Sequence, residues 1–288
     1  MNGYESEGEM SESVIRVSPV SPAVGAEVSG VDLSEPLPAK TVSRLRQALL
    51  AHGVIFCRHQ DLSPAQQMAL AECFGEVMEY PFVHGLKDYP LVIPILKREG
   101  ETRNFGGIWH SDTAYLPEPP MGTILHAKEL PQTGGDTLFA DMYTAYEALS
   151  EGMKALLAPL RALNSAANQS VSDTRKDRLE DAGKDVSGVI TEAVHPVIRT
   201  HPETGRKALY VNKAHTVRFD GMTEAESAPL LAFLFAHQVR EEFTCRFQWS
   251  PGAVAFWDNR CTQHYPVNDY HGHTRLLHRI TLKGDVPR

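Results

Sequence analysis

Two periodicities of hydrophobic and polar positions divide the chain. Short β-branched or aromatic runs at Val54–Cys57, Thr123–His126 and Ala253–Trp257 are bounded by Gly, Pro or charged residues and predict buried strands. Thr274–Leu282 alternates in character and predicts a half-buried strand. Apolar residues recur at helical spacing over Lys40–His52, with Gly53 just beyond as a C-terminal stop. Ser63-Pro64-Ala65-Gln66 supplies an N-cap, a proline at the first helical position and a glutamine three residues after the cap. Thr223-Glu224-Ala225-Glu226 repeats that grammar ahead of Leu230, Leu231, Phe233 and Leu234, and Tyr143–Leu160 predicts a helix broken near Ser150-Glu151-Gly152. The strands alternate irregularly with few helices, which excludes a repeating βαβ chain and predicts a mainly β fold with flanking helices.

Composition narrows the class. The chain has 288 residues, 42% hydrophobic content and a net charge of −8. That length suffices for one large domain with a core that needs no disulfides. Cys57, Cys73, Cys245 and Cys261 are scattered without a CxxC pair, which fits reduced thiols in the cytoplasm better than a disulfide framework or a zinc ribbon. The acidic N-terminal stretch lacks the basic and apolar regions of a secretion signal, and no apolar run reaches membrane-spanning length. Dispersed Lys and Arg on an acidic chain argue against nucleic acid. Residues 1–12 are expected to be disordered, 13–288 to form one domain, and the polar stretch 164–188 to be an insertion or a mobile lid. Neither GxGxxG between strand and helix nor GxxxxGK[ST] occurs, which weakens a dinucleotide or P-loop role.

Trp109-His110-Ser111-Asp112 is the first stretch that carries chemistry. On an extended segment residues i and i+2 point to one face, so His110 and Asp112 can converge on one point. An imidazole and a carboxylate suit Fe(II), and one more imidazole completes a facial triad that leaves three metal positions open. HxD alone is weak in a chain with 13 histidines. The block from Phe256 to Tyr265 raises it, because an apolar strand there leads into His264 and Arg275 follows eleven positions later. An arginine at that place can pair bidentately with the far carboxylate of a 2-oxo acid. Arg275 and Arg279 share strand parity, and His278 does not. His126, His195, His201, His215 and His237 lack partners at metal-like spacing and are expected to be structural or exposed.

Taken together, the HxD element, Gly134-Gly135-Asp136-Thr137, and the WDNRCTQHY and DYHGHTRLLHR stretches resemble the taurine dioxygenase / 2,4-dichlorophenoxyacetate dioxygenase family. Gly25–Leu33, Gly53-Val54-Ile55-Phe56, Phe74-Gly75-Glu76 and Gly284-Asp285 extend the likeness from about residue 14 to the end. The resemblance implies a double-stranded β-helix, or jelly-roll, open at one mouth over iron. It implies His110, Asp112 and His264 as ligands of Fe(II). Thr137 and Arg275 are implied on the far carboxylate of 2-oxoglutarate. Arg279 is implied as a second arginine near the metal, serving the co-substrate end or the substrate's acidic group. The implied reaction consumes O2 and 2-oxoglutarate, releases succinate and CO2, and hydroxylates a small anionic organic substrate such as a sulfonate, an alkyl sulfate or an aryloxy or alkyl carboxylate. A homo-dimer or homo-tetramer is the implied assembly.

Tyr80, Asn104, Tyr115 and Arg279 are the expected substrate contacts. Tyr80 falls where taurine oxidisers carry a histidine on the sulfonate, and Gly106 where they carry an asparagine near the amine, so an anion with an apolar body is favoured over taurine. Three alternatives stand beside this: taurine dioxygenase proper, a metalloenzyme with the same ligands but no 2-oxoglutarate, and a non-catalytic metal-binding protein on the same fold.

Overall fold

The computed structural model describes residues 14–104, 106–167 and 188–288. The tail expected over residues 1–12, and positions 168–187 of the expected insertion, lie outside the described residues. Along the chain, β1 (Arg16–Pro19) and β2 (Ala26–Ser29) precede α1 (Ala39–His52), β3 (Val54–Cys57), α2 (Pro64–Glu72), β4 (Val77–Met78) and β5 (Ile93–Lys97). Then come β6 (Gly122–Glu129), β7 (Thr137–Asp141), α3 (Met142–Glu147), α4 (Glu151–Leu157) and β8 (Arg161–Ser165). The C-terminal part holds β9 (Glu192–Pro196), β10 (Ile198–Thr200), β11 (Lys207–Leu209), β12 (Thr216–Phe219) and α5 (Glu224–His237). β13 (Thr244–Phe247), β14 (Val254–Asp258), β15 (Thr262–Pro266) and β16 (Arg275–Leu282) close the fold.

Local signals set the helix ends. Ser63 and Thr223 each form a reciprocal capping box with Gln66 and Glu226, worth about 1 kcal/mol per cap. Gly53 ends α1 at φ +70°, its N–H donating to the Leu49 carbonyl. The helix expected over Tyr143–Leu160 is two helices, with Ser150 capping the second. Asn164 and Ser165, placed by the sequence in the polar insertion, instead complete β8 and are buried.

A large sheet runs β1-β2-β3-β14-β6-β16-β4, with β5 also paired to β16; a small sheet runs β13-β7-β15. Between the two sheets lie Phe56, Leu125, Trp257 and Leu277 from the large one and Phe139, Cys245 and Phe247 from the small one. Phe56 stacks on Phe247 with centroids 3.9 Å apart. Each such ring removed from water contributes about 1.5–3 kcal/mol. The opposite face of the large sheet, carrying Ile55, Ile124, Phe256 and Ile280, packs under Leu45 and Leu49 of α1 and Leu70 of α2. The result is the jelly-roll core with flanking helices.

β16 departs from expectation. It is buried on both faces rather than half-buried, with only Leu276 partly exposed. The reason is tertiary: α2 covers the outer face, and its buried Gln67 donates to the His278 carbonyl. Among the described residues, no helix is long and apolar enough to cross a membrane.

Burying histidines has an acid cost. Burial, then the nearby charge of Lys128, depresses His278 to about 4, and burial depresses His195 to about 4 despite its hydrogen bond to the Leu116 carbonyl. Both stay neutral in the fold while the unfolded chain takes up protons near 6.5. The unfolded state therefore binds more protons between those values, and stability falls as pH drops from about 6.5 towards 4. Denaturant midpoints measured from pH 7 to pH 4.5 should fall steadily. His278→Leu should make that fall shallower; an unchanged slope would contradict the assignment.

Candidate active site

His110 and His264 are brought together by backbone pairing. His110 N–H donates to the His264 carbonyl at 3.1 Å, and His264 N–H returns a bond to the His110 carbonyl at 2.9 Å. The segment around His110 thus adds one bridge to the free edge of β15, and the two rings lie with centroids 4.1 Å apart. After His110 the chain turns rather than staying extended, with Thr113 at φ +41°, a conformation non-glycine residues seldom adopt. The turn still brings Asp112 Oδ1 to 3.8 Å from His110 Nε2. One donor atom each from His110, Asp112 and His264 lie within 4.8 Å of one another, close enough to share one ion.

The protonation of these groups suits a cation. His110 Nδ1 lies 2.7 Å from the Ile108 carbonyl, which can only accept, so Nδ1 carries the proton and Nε2 offers a lone pair. Burial, reinforced by His110, holds His264 well below the ordinary histidine range, hence neutral. Burial alone would raise Asp112, but the Arg279 charge, helped by the Thr123 hydrogen bond, outweighs it and keeps the carboxyl ionised. Two neutral imidazoles and one carboxylate on one side of an ion fit a divalent first-row metal such as Fe(II).

Side chains outside the triad hold it in place. Thr123 Oγ1 donates to Asp112 Oδ2 at 2.6 Å and accepts from Asn259 Nδ2 at 3.0 Å, while Asn259 Oδ1 accepts from Trp257 Nε1 at 2.8 Å. The Trp257 ring also lies 4.6 Å from the His264 ring. Trp257, expected simply as core, therefore also orients two of the three donors. Neither Thr123 nor Asn259 could be singled out from sequence, because a Thr on a buried strand and an Asn at a strand end are common.

Arg275 and Arg279 both point inward from β16 and line the same cavity as the triad, together with Thr137 and Asn104. Four residues of strand separate them by roughly 13 Å. Arg279 belongs to the triad end: its Nη2 is 3.4 Å from Asp112 Oδ1 and its guanidinium sits 4.8 Å over the Tyr80 ring. Arg275 lies at the other end, 5.6 Å from the Trp249 ring and 5.9 Å from that of Tyr270. It is 4% exposed, yet Nε and Nη2 have no hydrogen-bond partner. Each such buried donor costs about 1–3 kcal/mol until an acceptor arrives. Thr137 Oγ1 accepts from Trp249 Nε1 at 3.0 Å, which leaves its own O–H to donate. Gly135, at φ +71°, lets the backbone pass Arg275; a Cβ there would sit 3.0 Å from Arg275 Cδ.

The expected substrate residues divide. Tyr80 and Tyr115 join a run of rings around the triad end: Tyr80 to Phe82 at 5.7 Å, Phe82 to Tyr115 at 5.9 Å, Tyr115 to His215 at 5.0 Å and His215 to His110 at 6.3 Å. Phe82 and His215 were not singled out by the sequence as site residues; His215 was expected to be structural or exposed and is buried. Asn104 sits towards Arg275, its amide donating to the Pro266 and Val267 carbonyls and accepting from Tyr270. Gly106 lies against the triad: a Cβ at that position would stand 3.1 Å from His110 Cε1. Trp109 faces away, stacked on Tyr265 at 5.7 Å.

A second grouping, His201, Asp258 and Cys261, is also close enough to hold an ion. Its chemistry argues otherwise. Arg260 binds both oxygens of Asp258, and His201 Nε2 lies 3.1 Å from one of them. Burial works against ionisation there, but Arg260 and then His201 keep the carboxyl well below its ordinary range. His201 Nδ1 accepts from the N–H groups of Glu203 and Thr204, so no lone pair remains for a metal.

Comparison with known proteins agrees with this geometry. Residues 16–281 match the family described as Taurine catabolism dioxygenase TauD, TfdA family. An alpha-ketoglutarate-dependent sulfate ester dioxygenase of Pseudomonas putida is 37% identical over 94% of this chain and 90% of its own length. An alkylsulfatase of Acinetobacter baylyi is 37% identical over 91% of this chain and 83% of its own. The crystal structure of a taurine dioxygenase from Burkholderia xenovorans superposes with a TM-score of 0.79 at 35% identity, covering 95% of this chain and 90% of that one. The chain therefore belongs to the TauD/TfdA family and is an Fe(II)- and 2-oxoglutarate-dependent dioxygenase.

Proposed function

We propose that this dioxygenase oxidises a small organic anion with an apolar body, and that a sulfate ester is its favoured class. The observation that carries the proposal is Arg279, a buried cation beside Asp112 at the triad end, with the Tyr80 ring 4.8 Å from its guanidinium and the apolar cluster of Tyr80, Phe82 and Tyr115 next to it. An anionic head meets Arg279, and the apolar body lies along Tyr80, Phe82 and Tyr115. Gly106 leaves no side chain to meet an amine, which argues against taurine. The two sulfate-ester relatives support the same class.

The residue roles follow from the two ends of the cavity. His110, Asp112 and His264 hold Fe(II), and Thr123 with Asn259 fixes the carboxylate that completes the set. Iron, when bound, supplies the redox centre at which O2 is reduced, 2-oxoglutarate is decarboxylated to succinate and CO2, and a substrate C–H bond is oxidised. Arg275 and Thr137 bind the far carboxylate of 2-oxoglutarate, which satisfies the donors left open on Arg275. Asn104 shapes the wall beside them by tying residues 266–270 to its own loop. The packed rings exclude water from the triad end and fix which carbon of the substrate faces it. We place the enzyme in the cytoplasm as a homo-dimer or homo-tetramer without nucleic-acid or membrane partners; unpaired thiols and acidic charge support the first and last of these.

Hydroxylation of the carbon that bears a sulfate-ester oxygen gives a product that collapses to an aldehyde and inorganic sulfate. A panel of medium-chain alkyl sulfates, alkyl sulfonates, phenoxyacetate and taurine, scored by O2 uptake, succinate and sulfate release, should give the highest kcat/KM on an alkyl sulfate. Exclusive turnover of taurine would overturn the proposal.

A further inference from the structure

We propose that Lys97 is a specificity-determining residue for the co-substrate, a second cation that selects 2-oxo acids ending in a carboxylate; this rests on the assignment of the Arg275 end of the cavity to 2-oxoglutarate. Lys97 is the last residue of β5 and lies directly across from Arg275 in the β5–β16 register. Directly opposed residues project to the same side of a sheet, so both side chains point into the cavity, and both residues line it. Each is only 4% exposed. Lys97 Nζ sits 4.0 Å over the Tyr270 ring, and the Arg275 guanidinium lies 5.9 Å from the same ring.

Opposed like charges destabilise a strand pair, and burying them adds to the cost. Yet among the described residues no carboxylate lies within ion-pair distance of Lys97; its one hydrogen-bond acceptor is the neutral amide oxygen of Asn268, at 2.8 Å. Asp269 and Glu101 stand farther off and are engaged elsewhere, Asp269 with Gly135 N–H and Arg246, Glu101 with Arg98. Burial lowers the ammonium below the ordinary lysine range; Glu101 and Asp269 oppose that shift and Arg275 adds to it. Among the described residues neither cation has a carboxylate within ion-pair distance, so the pair forms a receptor for an incoming anion. A co-substrate with a carboxylate tail compensates both, and one with an uncharged tail compensates neither. The sequence shows only a lysine at the end of an apolar run, which is why the residue escapes a motif-based reading.

The competing role is mechanical. Lys97 holds Asn268, which in turn donates to the Thr102 carbonyl, so the lysine could serve as a strut between loops. Equilibrium binding separates the two. Wild type, Lys97→Gln (which keeps a polar group for Asn268), Lys97→Met and Lys97→Arg are loaded with Mn(II). Each is titrated calorimetrically with 2-oxoglutarate and with oxalate, which fills the metal end but has no far carboxylate. Loss of the charge should weaken 2-oxoglutarate about tenfold in both neutral variants, leave oxalate unchanged, and be largely restored in Lys97→Arg. Equal weakening of both ligands, or of neither, overturns the proposal. Arg275→Ala serves as the control: if it too leaves 2-oxoglutarate affinity unchanged, the pocket assignment itself fails. If only the Lys97 variants are without effect, the inference about Lys97 alone fails.

Discussion

Asp112→Ala is expected to abolish turnover and lower Fe(II) affinity by a hundredfold or more, on the order of 3 kcal/mol. The carboxylate is the only anionic member of the triad, and two imidazoles facing each other at 4.1 Å hold a divalent cation poorly by themselves. Its loss also leaves the Thr123 hydroxyl and the Arg279 guanidinium without the oxygen atoms they face. Asp112→Asn keeps the shape and an acceptor for Thr123, so it separates metal loss from misfolding. Anaerobic equilibrium dialysis against Fe(II), with unfolding midpoints for both variants, checks the claim. Metal affinity within a few-fold of wild type in a folded Asp112→Ala protein would remove Asp112 from the triad.

Arg275→Ala should raise the 2-oxoglutarate concentration needed for half-maximal turnover by about a hundredfold, with little change in Fe(II) affinity. Two charged N–H donors are lost from a buried position where water cannot replace them. Because Arg275 lies roughly two same-face strand steps from Arg279, the effect should be confined to the co-substrate. Titrating 2-oxoglutarate at saturating metal and substrate provides the measurement. An unchanged requirement, or a large effect in Arg279→Ala only, would mean that the arginines' roles are exchanged.

Features of this fold governed by neighbours in sequence were legible before the structure. Ser63 with Gln66, Thr223 with Glu226, and Gly53 at a helix end are decided within a single turn of chain, so their grammar shows in the residues themselves. His110, Asp112, His264 and Arg275 were nameable from short patterned elements, Thr137 and Arg279 from the family resemblance those elements carry, and the structure places all six on one cavity.

Features decided by distant partners were not legible. The burial of both faces of β16 depends on α2, more than two hundred residues away. The pairing of His110 with His264 is a backbone event across 154 positions that no periodicity announces. Thr123 and Asn259 matter only because Asp112 lies against them, and Phe82 and His215 because the rings between them are contiguous. Strand parity correctly put Arg275 and Arg279 on one face, yet it could not show that one leans on Asp112 while the other has open donors.

One cavity is expected to hold Fe(II) on His110, Asp112 and His264 while Arg275 anchors a 2-oxo acid that also reaches the metal. Anaerobic addition of Fe(II) and 2-oxoglutarate to the wild-type protein decides this. A weak visible charge-transfer band should appear only when both are present, and should vanish in Asp112→Ala. Its absence from the wild type, or its appearance with Fe(II) alone, would rule out a shared site for metal and 2-oxo acid.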